Sequence, residues 1–359
     1  MAELQTRLGH GGPLFVLDIR PAGERAEWAI PGSSHLDIYQ ALKNGDLNAA
    51  AAVAPPPNTT VVAVCGAGNT SKIAAEQLRK RGLPAVSLIG GMKAWSLAWN
   101  TAEMTSSDAT LVQIRRTGKG CLSYIVASGN EAVVVDAALD PAIFLGIART
   151  RGWAIRHVLD THIHADHLSR SCSLAGQAGA SLWLPEQRRV SFTYRPLHEG
   201  ETLAFGKSTL TCLSTPGHTR ESVCYVIDNR WLLTGDTLFL DTVGRPDLEA
   251  DPDESLARAI LLHGSLRRLF ELEPELMVLP CHTSSPVPFD RTVITAILGA
   301  AREAVHLGYD AEAFARDLLR RVPLTPPNHH VIVKYNEAGV LPSGDLTDLE
   351  AGANRCAVV

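Results

Sequence analysis

The 359-residue chain is 45% hydrophobic and 20% charged, an ordinary soluble composition long enough for two domains. A net charge of −5 with no Lys/Arg block argues against a nucleic-acid surface, and no stretch has the apolar length of a membrane span. The seven cysteines (Cys65, Cys121, Cys172, Cys212, Cys224, Cys281 and Cys356) form no CxxC pair, and the apolar run 14–17 is too short for a secretion leader. Reduced thiols and a cytoplasmic location are therefore expected.

The runs 14–17 and 60–64 read as buried parallel strands, separated by an Ala/Pro-rich surface connection over 49–57. Apolar spacing predicts a helix over 71–81, closed by Gly82, and a further strand over 85–88. This strand–loop–helix–strand order implies an α/β domain with a parallel sheet over residues 1–100. Between the central strand and the helix lies the loop Cys65, Gly66, Ala67, Gly68, Asn69, Thr70, Ser71. Its glycines let backbone N–H groups curl inward as an anion cradle, and the helix start favours a thiolate at Cys65. A tight glycine turn around a buried thiol is the plainer reading. Cys212 and Cys224 sit in apolar runs and read as core.

Leu17-Asp18-Ile19-Arg20, Ala29-Ile30-Pro31-Gly32-Ser33 and Gly90-Gly91-Met92-Lys93-Ala94-Trp95 resemble the LDVR, HIPGA and GGxxxW elements of the rhodanese family. The resemblance covers residues 1 to about 98 and places Cys65 at the persulfide-carrying position. The family's two loop arginines are replaced by Gly66 and Thr70, which removes the forked donors that would hold thiosulfate. Persulfide transfer and a purely docking or regulatory role both remain open for this domain.

Residues 101–108 are polar and aperiodic and read as a linker, with a second domain over 109–359. Paired strands are expected over 111–115 and 123–127, a buried strand over 133–136 and a helix over 141–151. The chain then reaches His162, His164, Asp166 and His167, a Cys/His/Asp-type cluster at a strand end that suits a first-row metal. His218, Asp236 and His282 each follow a short apolar run in the same way. Two arrangements fit this set. A dinuclear hydrolase would use His162, His164 and His218 at one metal, and Asp166, His167 and His282 at the other, with Asp236 bridging. A mononuclear site would use His162, His218 and Asp236, the 2-His-1-carboxylate face suited to Fe(II) and O2.

The order HxHxDH, His, Asp, His resembles the metallo-β-lactamase superfamily, which implies an αββα sandwich. Val243-Gly244-Arg245-Pro246-Asp247 and Ala353-Asn354-Arg355-Cys356 resemble the GRTDF and ANxRCG elements of its persulfide dioxygenases. That resemblance implies one Fe(II) per chain on His162, His218 and Asp236, with His164, Asp166, His167 and His282 orienting the ligands. It also implies a small thiol persulfide (glutathione or coenzyme A type) and O2 as substrates, sulfite as product in sulfide detoxification, and a homodimer. Arg245 would balance the substrate's charge, with Asp247, Arg355 and Cys356 near the pocket. The family's HDY is replaced after His282 by Thr283-Ser284-Ser285-Pro286, and its Phe by Leu248. A two-zinc thioester hydrolase of the glyoxalase II type is the alternative. Helices are expected over 290–307 and 311–321, and His329-His330 reads as a strand-edge pair.

Overall fold

The computed structural model describes residues 1–283, 285–308 and 310–358, and among these the chain forms three sheets. Ser284, part of the departure after His282, lies outside the described residues. The first β-branched runs build a parallel sheet in the order β2-β1-β3-β4, from β1 (Leu14–Asp18), β2 (Ser34–His35), β3 (Thr60–Val64) and β4 (Ala85–Ser87). Its helices are α1 (Ala2–Gly9), α2 (Ala22–Glu27), α3 (Tyr39–Lys43), α4 (Thr70–Lys80) and α5 (Gly91–Trp95). The strand β3 is buried on both faces, as its unbroken apolar run requires. Val61 and Ala63 pack with Ala74 and Leu78 of α4, while Val62 and Val64 pack with Met92 and Trp95 of α5.

The second domain faces two sheets across one core. The seven-stranded sheet comprises β5 (Asn100–Thr105), β6 (Thr110–Arg116), β7 (Cys121–Ser128), β8 (Glu131–Val135), β9 (Ala154–Leu159), β10 (Ser181–Pro185) and β11 (Arg195–Leu197). The six-stranded sheet comprises β12 (Thr202–Phe205), β13 (Ser208–Ser214), β14 (Val223–Ile227), β15 (Trp231–Gly235), β16 (Met277–Pro280) and β17 (Ala296–Ile297). Leu122, Tyr124, Val133 and Leu159 of one sheet meet Cys212, Tyr225, Trp231 and Leu279 of the other. Each such large apolar side chain contributes about 1.5–3 kcal/mol when buried. Outside the first sheet lie α6 (Pro141–Thr150) and α7 (Ser171–Ala178). Outside the second lie α8 (Pro252–Leu269), α9 (Leu298–Val305) and α10 (Ala311–Arg320). The helices α11 (His329–Ala338) and α12 (Thr347–Glu350) follow. This is the expected αββα sandwich behind an α/β domain.

Three expectations are corrected. Most of the segment 101–108 is not a linker: β5 pairs antiparallel with β6 from Asn100↔Arg115 to Thr105↔Thr110. Its outward side is polar (Thr101, Glu103, Thr105), which hid the alternation around buried Ala102. The helix expected over 290–307 begins only at Leu298, because the β-branched stretch Thr292 to Thr295 leads into β17 instead. His329 and His330 open α11 and are not a strand-edge pair.

The domain junction is tightly fitted. Arg116, fully buried, donates from Nε to the Ser96 carbonyl (2.8 Å), and Trp95 packs at a tilt of 46° against Phe289 with ring centroids 6.1 Å apart. Lys93 pairs with Asp345 and Asp348. Gly118 lies so close to Trp95 that a Cβ there would overlap its carbonyl.

Candidate metal centre

The centre forms where the ends of β9, β13, β15 and β16 converge. His162, His164, Asp166 and His167 leave β9, His218 follows β13, Asp236 follows β15 and His282 follows β16. All seven are at most 3% exposed, so each polar atom needs a partner or a ligand. Gly235 makes the sharp exit from β15 possible: its φ is +52°, and a Cβ would stand 2.6 Å from Thr161 Oγ1.

Hydrogen bonds fix the ring orientations. Thr161 Oγ1 donates to the Asp136 carboxylate (3.0 Å), so it accepts from His162 Nδ1 (2.9 Å), which leaves His162 Nε2 with its lone pair free. His218 Nδ1 donates to the Arg245 carbonyl (2.7 Å), which likewise frees Nε2. These two Nε2 atoms lie 3.7 and 3.6 Å from Asp236 Oδ2. His162 Nε2 and Asp236 Oδ2 have no hydrogen-bond partner. Burial lowers the pKa of both imidazoles, keeping them in the neutral form that ligates a metal. The three atoms therefore fit one metal ion.

The remaining ligand candidates are tied to carboxylates, of the triad's Asp236, of Asp166 and of Asp136. His282 Nδ1 sits 2.6 Å from Asp236 Oδ1 and its Nε2 3.0 Å from Asp166 Oδ2. Burial would lower its pKa, but the two carboxylates outweigh that and raise it well above the ordinary value. Burial pushes Asp166 upward, and His282 with His167 outweighs it, holding the carboxyl well down. His167 Nδ1 contacts Asp166 Oδ1 (3.0 Å), while His164 Nε2 contacts Asp136 Oδ1 (3.2 Å). His167 Nε2 and His164 Nδ1 have no partner.

Sequence reasoning passed over four residues here. Cys121 joins Asp166, His167 and His282 in one potential ligand group. Burial and Asp166 raise its thiol pKa, but His167 and His282 prevail and lower it to about 6. Asp136, at φ +54°, and Thr161 hold His162, and Asn354 donates to Asp166 Oδ2 (3.0 Å). Cys121 stands just after Gly118-Lys119-Gly120 at a strand start, but nothing in that position announces Asp166 and His282 as its neighbours.

Arg245 is buried, but its guanidinium is engaged by Asp247 (both bonds 2.8 Å) and the carbonyls of Leu324 and Arg355. Its backbone N–H donates to Cys356, so the C-terminal segment lies along 243–245. Cys356 thereby joins Asp236 and His282 in a third group. Arg355 points elsewhere, to Glu27 of the first domain (3.1 Å). In that domain Cys65 is buried, and its Sγ receives the Ser71 N–H (3.4 Å) and contacts Ser71 Oγ (3.2 Å). Gly66 to Thr70 curve around it into α4, with Gly68 at φ +82°.

The family model of the metallo-beta-lactamase superfamily matches residues 116–282, and that of the rhodanese-like domain residues 1–98. A hydroxyacylglutathione hydrolase from Acidiphilium cryptum is 31% identical over 192 residues, spanning 52% of this chain and 75% of the relative. The chain belongs to the metallo-beta-lactamase superfamily. It carries a rhodanese-like domain ahead of that fold. A hydroxyacylglutathione hydrolase from Rhizobium johnstonii is 35% identical over 111 residues, and the chain spans only 43% of that relative's length. Two solved structures share the fold. A Staphylococcus aureus metallo-beta-lactamase has a TM-score of 0.59 at 21% identity, covering 67% of this chain and 74% of its own. ETHE1 from Myxococcus xanthus has a TM-score of 0.54 at 23% identity, covering 67% and 98%. No helix among the described residues is long and apolar enough to cross a membrane.

Proposed function

We propose that this metallo-beta-lactamase-fold enzyme is a mononuclear iron persulfide dioxygenase, joined to a rhodanese-like domain that carries sulfane sulfur on Cys65. The overall reaction balances as R–S–SH + O2 + H2O → R–SH + sulfite + 2 H⁺. One observation carries the reading: His162 Nε2, His218 Nε2 and Asp236 Oδ2 form a 2-His-1-carboxylate face, whereas both ring nitrogens of His282 are taken up by the carboxylates of Asp236 and Asp166. Fe(II) held there would supply the one-electron chemistry that O2 requires. Asp136 and Thr161 lock the His162 ring, and the Arg245 carbonyl locks His218. Arg245 acts as a positioning residue, because its guanidinium pins the C-terminal segment instead of facing the triad. The adjoining rhodanese-like domain fits the same sulfur chemistry, with the Ser71 N–H directed at the Cys65 sulfur.

A second reading is a two-zinc thioester hydrolase, and the names of the curated relatives favour it more directly. The unpartnered His164 Nδ1 and His167 Nε2 favour it as well, since a dinuclear site would use His164 at the first metal and His167 at the second. Metal analysis coupled to an oxygen electrode separates the two. One iron per chain, O2 uptake with glutathione or coenzyme A persulfide, and sulfite release are the expected results. Two zinc ions with thioester hydrolysis and no O2 uptake would establish the hydrolase instead.

A further inference from the structure

The two domains enclose a cleft of about 230 Å³, with Arg25, Glu27 and Trp28 on one wall and Lys119, Thr283 and Asn354 on the other. A smaller cavity of about 90 Å³ shares Thr283, Ser285 and Asn354 with it and reaches His282. These shared walls lead from the domain junction as far as His282, which stands 2.6 Å from the Asp236 carboxylate of the triad.

Most charges along the cleft are already matched. Arg25 is spent on Asp18 and Ser33, and Glu27 pairs with Arg355. Lys119 differs: it is only 9% exposed, and among the described residues it forms no ion pair. Its stem is packed among its neighbours while the residue lines the cleft, so the cation is free to meet a negatively charged group that enters there. Its backbone is also rigid. The N–H groups of Lys119 and Gly120 donate to the Arg116 carbonyl (2.9 and 2.8 Å), and Thr283 donates to Gly120 (2.9 Å). The turn that carries Lys119 is thus bonded to the residue after His282, an arrangement that preorganises the cation for an anion near the metal.

We infer that this cleft binds the carrier of the metal centre's substrate: Lys119 pairs with a carboxylate or phosphate of a small thiol, Trp28 walls it, and its sulfur is directed past Thr283 towards His282. The inference rests on the reading that the centre acts on a small thiol derivative, by oxidation or by hydrolysis. It makes the rhodanese-like domain part of the metal centre's specificity.

Calorimetric titration of the full-length protein with two unreactive probes, S-methylglutathione (carboxylates) and S-methyl-coenzyme A (phosphates), tests this without relying on turnover. At least one probe binds the wild type. Lys119→Ala and Lys119→Gln weaken it by about tenfold or more, as expected for loss of a charge-assisted bond. Lys119→Arg restores most of the affinity, and added salt weakens the wild type more than Lys119→Ala. Trp28→Ala weakens the same probe. Preference for the first probe assigns a glutathione-type carrier, and preference for the second a coenzyme A type. Equal affinity in wild type and Lys119→Ala, or no binding of either probe, overturns the inference. With whichever substrate turns over, Lys119→Ala raises KM and leaves kcat unchanged, and an unchanged KM counts equally against it. If neither O2 uptake nor hydrolysis is found, the proposed chemistry fails while the probe titrations still decide the cleft.

Discussion

Replacing Glu350 with glutamine isolates the buried ion cluster that ties the C-terminal helix α12 to the histidine loop. Glu350 is fully buried; its Oε1 receives Leu168 N (2.7 Å) and Arg170 Nη1 (2.5 Å), and its Oε2 receives Arg170 Nη2 (2.9 Å) and Arg116 Nη2 (3.1 Å). Burial alone would raise the carboxyl pKa, but the two guanidiniums outweigh it and hold the group below its usual range. Glutamine keeps the shape and one acceptor, yet leaves two buried cations without their counter-charge. Breaking a buried pair in this way costs about 3–5 kcal/mol. At about 2–4 °C per kcal/mol for a domain of this size, the metal domain should melt roughly 6–20 °C lower by scanning calorimetry at neutral pH. The pH dependence has a definite sign. A depressed folded-state pKa gives stability that is complete above the ordinary value of 4.5 and lost as pH falls below it, so the gap between wild type and variant narrows in acid. A melting shift under about 2 °C, or a gap independent of pH, would refute the assignment of Glu350 as a load on both arginines.

Thr161→Val removes the hydroxyl between Asp136 and His162 without changing the side chain's shape. Metal affinity, measured by chelator competition, should fall about 10–100-fold, and an unchanged affinity would exclude Thr161 as the group that orients His162. Gly118→Ala forces a methyl group against the Trp95 carbonyl and should cost about 1–3 kcal/mol or more in denaturant unfolding, with no loss if the junction opens freely. Cys65→Ser should abolish persulfide formation on the first domain, read by mass spectrometry. Turnover of a free carrier persulfide at the metal should stay intact, and persistence of the protein persulfide would move its site away from Cys65.

Much of the centre was legible because each ligand candidate stands just beyond a strand, where apolar runs announce the element and a His or Asp ends it. His162, His218 and Asp236 could be found in this way, and the structure brings them together. Cys121 could not, because its place beside Asp166 and His282 depends on the bridge Cys121↔His282, a pairing across 161 residues of chain. The role of Arg245 was equally hidden. Its Asp247 partner is local, but the Leu324 and Arg355 carbonyls that occupy its Nη1 come from the distant C-terminal segment. The strand β5 escaped notice because only Ala102 of its six residues is fully buried, so the pattern resembled a polar connection.

The buried contacts at the junction bear on how sulfur would move between the two centres. The carbonyls of Cys65 and Gly66 accept from Met92 and Lys93 of α5 (2.9 Å each). Beyond the end of α5, Arg116 holds Ser96, and the same guanidinium pairs with Glu350, which in turn holds Leu168 beside His167. The Arg116 and Glu350 links are buried, and their hydrogen bonds are worth more there than at an exposed hinge. The Cys65 loop and the histidine loop are therefore set in one packed frame. A swinging-domain transfer would have to break the Arg116–Ser96 bond, the Lys93 ion pairs and the Trp95–Phe289 contact together. A small diffusible thiol entering the interdomain cleft requires none of these to break, which makes the carrier, rather than domain motion, the economical link between the two chemistries.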